Sequence, residues 1–104
     1  MARIELELYA DRLSRHAERL RDDVDGARMR LVWGRFEAGA RDRLAARDLQ
    51  LLEAIGVWAG VDEQAEQRLL QRRLRQLAAV EKLQSLVEEA LTAAIDASSP
   101  PSSS

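Results

Sequence analysis

The chain has 104 residues and a formal net charge of −2, with 33% charged and 4% aromatic residues. This length fits one small domain, and the near-neutral balance gives no bulk attraction to nucleic acid or to an anionic membrane. The absence of cysteine excludes disulfides and thiolate metal ligands. The commonest residues are strong helix formers and no stretch alternates with period two, so we expect an all-α protein.

The first segment carries the most regular apolar pattern. Apolar residues recur at alternating steps of four and three, which is the heptad period of a narrow seam between packed helices. They are Leu6, Ala10, Leu13, Ala17, Leu20, Val24, Ala27 and Leu31. The residues between them are mostly charged, and Asp11 precedes Arg15 by four positions, an order that supports a helix. This pattern predicts a long amphipathic helix with coiled-coil-like packing.

After Leu31 the apolar phase changes. The first phase would next place Gly34 and Arg41 inside, so we expect a new phase and a helix that bends, stutters or stops between residues 33 and 39. The new phase runs through Phe36, Ala40, Leu44, Leu51, Leu52 and Ile55. If the helix only bends, the chain is a long antiparallel helical hairpin. If the helix stops there, the alternative is a three-helix bundle.

Residues 58–62 carry the signals for the corner of the hairpin. Gly60 tolerates the left-handed backbone that often follows a helix end, and Asp62 is a preferred N-cap residue. We therefore predict the turn near residues 58–62, with Gly60 just past a helix end. Trp33 and Trp58 are expected to be large core side chains near the bend and the corner. Trp58 has a second interpretation, as a partly exposed contact for a partner.

The segment after the corner contains no Gly or Pro between Asp62 and Ala97, which predicts a second long helix. Its apolar stripe consists of Leu70, Leu74, Leu77, Val80, Leu83, Val87, Leu91 and Ala94, and is widened by Leu69, Leu86, Ala90 and Ile95. This face is broader than one neighbouring helix covers, so we expect an oligomer. Residues 98–104 are Ser and Pro, and we expect a disordered tail after a single helical domain at 1–97.

No constellation of residues points to catalysis. His16 is the single histidine, without a second ligand four positions on, so we expect a solvated side chain. There is no phosphate-binding loop or nucleophile motif. We therefore expect no enzyme activity, no metal or other cofactor and no small-molecule substrate. Arg68, Arg72 and Arg75 share one helix face, which either contacts an anionic partner, is solvated, or pairs with acidic residues of a neighbouring helix.

The sequence also bears on location. It has no run of about 18 apolar residues, so we expect no membrane span. Its first residues lack the apolar core of a signal peptide. We expect synthesis in the cytoplasm, and any export would use a route without a cleaved signal.

Trp58-x-Gly60 at the predicted corner resembles the motif of the WxG family, the small helical-hairpin proteins exported by bacterial type VII secretion systems. The chain length, the absence of cysteine and the two amphipathic helices are similar as well. The resemblance implies an antiparallel hairpin that pairs with itself or a sister protein in a four-helix bundle and acts by binding. The family's export signal, a tyrosine followed four positions later by an acid, is absent here, and in that family a partner chain can carry it.

The leading prediction is a non-enzymatic helical interaction protein that forms homo- or hetero-oligomers, with a type VII substrate or partner as one specific form. One alternative is a coiled-coil adaptor or chaperone-like subunit of another assembly. A further alternative is a small nucleic-acid-associated helical protein that uses the arginines of the second long helix.

Overall fold

A computed structural model of the chain describes residues 3–98, and all regular secondary structure within that range is helical. α1 spans Arg3–Arg43, α2 spans Ala46–Ala54 and α3 spans Glu63–Ser98. The predicted all-α class and helical hairpin are confirmed, with α1 and α3 as the two arms. The tail predicted for 98–104 begins at the last residue of α3, and residues 99–104 lie outside the described range.

The described residues divide into two compact units. The first unit contains α1 up to Arg21 and α3 from Leu74 onward, and the second contains the chain from Asp22 to Arg73. Seven apolar side chains are buried: Leu6, Leu13, Ala17 and Val87 in the first unit, and Val24, Ala27 and Leu31 in the second. The two remaining positions of the first predicted seam, Ala10 and Leu20, are half-buried. The heptad interpretation of α1 is therefore confirmed.

The buried face of α3 departs from the predicted stripe at two positions. Leu74 and Leu83 are 37% and 36% exposed, while their neighbours Arg73 and Gln84 are half-buried. The other stripe positions are buried or half-buried, namely Leu70, Leu77, Val80, Val87, Leu91 and Ala94. Of the residues expected to widen the stripe, Leu69 is half-buried, whereas Leu86, Ala90 and Ile95 are exposed. A prediction from apolar residues alone therefore misplaces the stripe at these two positions. Long polar side chains can pack their apolar stems at seam positions while their polar ends stay hydrated or paired.

α1 is not interrupted between residues 33 and 39. It continues to Arg43, and the chain leaves the helical conformation only at Leu44 and Ala45 before α2 begins. The break considered for 33–39 is therefore not observed. Gly34 explains why the apolar pattern suggested a break that the structure does not have. A Cβ built on it would lie 3.1 Å from the Cβ of Val61, so the first phase continues inward through a residue without a side chain.

The short helix α2 adds no third layer to a core. It has nine residues, none of which is buried. It ends in a Schellman motif, in which the Gly56 N–H donates to the Glu53 carbonyl at 3.1 Å and the Val57 N–H donates to the Leu52 carbonyl at 3.4 Å. Gly56 has a φ of 66° and is the residue just past the helix end. Gly60 has the same φ but lies farther along the connection, so its predicted place directly after a helix was wrong.

Two of the three glycines inside α1, Gly34 and Gly39, predict opposite responses to substitution. At Gly39 an added Cβ meets nothing within 4 Å, so Gly39→Ala should stabilise the protein by about 0.5–1 kcal/mol through helix propensity. Gly34→Leu gains the same propensity but forces a side chain into Val61, and should destabilise by about 1–3 kcal/mol. Urea denaturation followed by circular dichroism measures both. A Gly34→Leu variant as stable as the wild type would contradict the close approach.

Candidate interaction surface

Ion pairs join α1 to the returning chain within the second unit. They are Asp23 Oδ2 to Arg73 Nε at 3.4 Å, Arg30 Nε to Glu66 Oε1 at 2.8 Å, and Arg35 Nε to Glu63 Oε1 at 3.2 Å. Positions along α1 increase as their partners on α3 decrease, so the two helices run antiparallel. Glu66 is the least exposed of these side chains, at 18%. It therefore holds the pair that water screens least.

The order of charges along the sequence matches this pairing. Residues 28–43 contain five arginines and two acids, whereas residues 48–66 contain five acids and no Lys or Arg. The basic C-terminal part of α1 therefore lies against the acidic segment at residues 48–66. Each exposed pair contributes only about 0.2–1 kcal/mol, but a shifted register would separate all of them together. The charges thus specify how the arms align more than how strongly they bind.

Two contacts hold the corner against α1. The Ala59 N–H donates to Glu37 Oε1 at 2.9 Å, and the Arg41 guanidinium lies 4.7 Å from the centroid of the Trp58 ring. Trp58 is half-buried, between the two alternatives that its sequence context left open. Arg41, which the first apolar phase would have placed inside, is exposed and makes a cation–π contact with that ring.

The other members of the predicted turn motif have separate roles. Asp62 caps α3, since its Oδ1 accepts a hydrogen bond from the Ala65 N–H at 3.2 Å. Gly60 supplies a left-handed backbone position between Trp58 and that cap. The three predicted residues therefore lie in one connection and shape it, but none of them presents a polar group arranged for catalysis.

The three arginines of the predicted basic patch are all exposed on α3. Arg68 and Arg72 are exposed on α3 in the second unit, and Arg75 is exposed in the first unit. The Arg68 Nε donates to the Gln64 carbonyl of its own helix at 3.4 Å. Arg73, the fourth arginine of this stretch, is the one that pairs with Asp23 across the hairpin. Pairing with acids of a neighbouring helix thus accounts for part of the cluster.

The second unit exposes an apolar face on α1 that the core does not use. Phe36 is 74% exposed, Val32 63%, Trp33 50% and Met29 49%. These spacings of three, four and seven put all four side chains on one side of the helix, and we call them the outer apolar face. The new apolar phase predicted after Leu31 is real, but at Phe36 it points to solvent. The expectation that Trp33 is a core side chain was wrong.

A groove continues the outer apolar face toward the end of α1. It has a volume of about 400 Å³ and is lined by Arg35, Phe36, Gly39, Ala40, Arg43 and Leu44. The small residues Gly39 and Ala40 leave space between the larger Phe36 and Leu44 side chains. The groove is therefore apolar with two arginines, Arg35 and Arg43, at its border. The sequence signal for this groove is a pair of small residues, Gly39 and Ala40, that interrupts an apolar stripe.

Within residues 3–98, no three or more His, Cys, Asp or Glu side chains come close enough to hold a metal ion, and His16 is exposed. None of the helices described there is both long and apolar enough to cross a lipid bilayer. Comparison with known proteins finds no matching family model, no matching curated protein and no matching solved structure.

The Arg41–Trp58 contact predicts a measurable coupling. Because Trp58 is half-buried, Trp58→Ala should cost less than the roughly 3–5 kcal/mol of a fully buried tryptophan. Arg41→Ala should cost about 0.5–1 kcal/mol. The double variant should destabilise less than the two single effects combined, by about 0.5–1 kcal/mol. Urea denaturation of the four proteins tests this, with exposed Arg28→Ala replacing Arg41→Ala in a control cycle. Additive effects in the Arg41 cycle would contradict the contact.

Proposed function

We propose that the protein is a non-enzymatic helical interaction protein that works as an oligomer, with itself or with a related helical protein. The single observation that carries this proposal is the outer apolar face. Four large side chains at 49–74% exposure occupy one side of α1, although Arg28, Arg30, Arg35 and Glu37 lie between or beside them. Contiguous exposed apolar surface of this kind marks protein interaction sites in soluble proteins.

The sparse core supports the same proposal. Within the described residues no large side chain is fully buried, and two helices in contact provide a single packed layer. Small domains have little stability to spare. A partner that covers the outer apolar face supplies the second layer of a helical bundle.

The specific form that we propose is a hairpin of the WxG type, handled by a bacterial type VII secretion system. Its support is the Trp58-x-Gly60 motif in the connection between two long helices. This form includes synthesis in the cytoplasm and export without a cleaved signal peptide. Co-expression of the chain with neighbouring genes that encode small helical proteins tests this proposal. A WxG partner should co-purify with the chain in stoichiometric amount. The coiled-coil adaptor is the alternative if the co-purifying subunit belongs to a different assembly.

The proposed self-association predicts the mass of the protein in solution and the side chains on which that mass depends. Light scattering at about 10 µM should give at least twice the 11.7 kDa of the chain, since dissociation constants of stable interfaces of standard size are micromolar or lower. Replacing Val32 and Phe36 together with serine should lower the mass toward 11.7 kDa. Circular dichroism should show that the variant remains helical.

Ile4→Ser provides the matched control. Ile4 is 71% exposed, which is close to the exposure of Phe36, but it lies in the first turn of α1 and outside the outer apolar face. This variant should keep the wild-type mass. A wild-type chain that unfolds cooperatively as a stable monomer at all accessible concentrations would contradict self-association.

A further inference from the structure

The short helix α2 presents an apolar stripe that its own unit leaves uncovered. Leu51 is 60% exposed and Ile55 just after the helix is 74% exposed. Asp48 lies one turn before Leu51, so the three positions share one side of α2. The half-buried Leu52 lies beside this stripe, and the half-buried Leu49 lies farther round the helix. α2 therefore carries an outward stripe of one carboxylate and two large apolar side chains.

The groove at the end of α1 has the complementary chemistry. Its apolar lining includes Phe36, Ala40 and Leu44, and Arg43 stands at its border in the last turn of α1. Phe36 remains 74% exposed, so the chain's own α2 does not cover it. A ligand that suits this groove has two apolar side chains one helical turn apart. It also has a carboxylate at the end that lies nearest Arg43.

We infer that the occupant of this groove is α2 of a second copy of the same chain. Leu51 and Ile55 of one protomer enter the groove of its partner, and the Asp48 carboxylate pairs with the Arg43 guanidinium across the interface. This inference rests on the proposed function and names the partner and the surface that the proposed self-association uses. Because each protomer carries both the stripe and the groove, the exchange occurs twice about a two-fold axis and closes as a dimer.

The charges and the available area both favour a second copy. Arg30, Arg35, Glu63 and Glu66 already pair within the chain, whereas Arg43 and Asp48 take part in neither of these pairs, so the exchange brings one pair of opposite charges together at each contact. The exposed apolar side chains of the second unit, Met29, Val32, Trp33, Phe36, Leu51, Ile55 and Val57, are 49–74% exposed. With full areas of about 150–250 Å² for the aromatic ones, they provide several hundred Å². That is the scale of the roughly 800 Å² per partner found in stable interfaces.

Two charge reversals test the pairing between protomers. Arg43→Glu places a carboxylate opposite Asp48 of the partner, and Asp48→Arg places a guanidinium opposite the partner's own Arg43 side chain. Each variant alone should raise the dimer dissociation constant about tenfold or more, measured by sedimentation equilibrium. In a one-to-one mixture, every groove in the mixed dimer meets a stripe of opposite charge. The mixture should therefore regain wild-type dimerisation.

The mixture separates pairing between chains from pairing within one chain, since a contact within the chain stays reversed in both variants. Arg28→Glu and Glu53→Arg are the matched controls. Arg28 lies about four turns before Arg43, and Glu53 points away from the stripe on α2. Both controls should dimerise as the wild type does. Circular dichroism of each protein should show unchanged helicity.

Each outcome of this experiment decides the inference. Weakened single variants with a restored mixture support it. If the single variants weaken the dimer but the mixture does not restore it, α2 is not the occupant of the groove. If neither single variant weakens a wild-type dimer, the copies associate through another surface, and the inference fails while the proposed function stands. A wild-type chain that stays monomeric throughout overturns the self-docking and the proposed self-association together.

Discussion

Each arm of a helical hairpin has one neighbouring helix to pack against, and this constraint governs the structure. The buried side chains are seven among the described residues, and two of them, Ala17 and Ala27, are alanines at 0% exposure. Small side chains let helices approach closely but bury little area. Each fully buried Val or Leu contributes about 1.5–3 kcal/mol, while ordering the backbone costs about 1–2 kcal/mol for every residue. A single seam of this composition leaves the hairpin with little margin, and the outer apolar face of α1 is surface whose burial would add to that margin.

Polar contacts decide how the arms align. The seam itself has no strong preference between neighbouring heptads, because leucines and alanines recur along it. The ion pairs of Arg30 with Glu66 and Arg35 with Glu63 distinguish one alignment from the others. The Arg41–Trp58 contact fixes the end of α1 against the connection. These interactions are modest in energy, and their combined effect is a defined corner from which α2 projects its outward stripe.

Much of the fold follows from the sequence, and the residues that resist prediction share a physical cause. The heptad of α1 and the Asp62 cap depend on local pattern and were predictable. The interruption at Leu44 and Ala45 contains no Gly or Pro, so no local signal marks it. By local pattern Gly34 predicts a break, whereas its lack of a side chain allows a close approach to Val61. Such choices depend on what lies opposite in space, which a single sequence does not state.

The candidate interaction surface was likewise predictable only in part from the sequence. The apolar phase through Phe36, Ala40 and Leu44 was visible in the sequence, but its direction was not, since an apolar stripe is equally consistent with a core and with an interface. The basic cluster was visible too, and it divides between a paired Arg73 and the exposed Arg68 and Arg72. Burial is the property that separates these alternatives, and it depends on the tertiary structure.

The central claim is that folding of this hairpin is linked to its association. The most direct measurement is the thermal midpoint at protein concentrations spread over about a hundredfold range, because an equilibrium that requires two chains shifts with concentration by mass action. The account predicts a midpoint that rises steadily with concentration. A midpoint that stays constant across the range, with the same cooperative transition throughout, would contradict it.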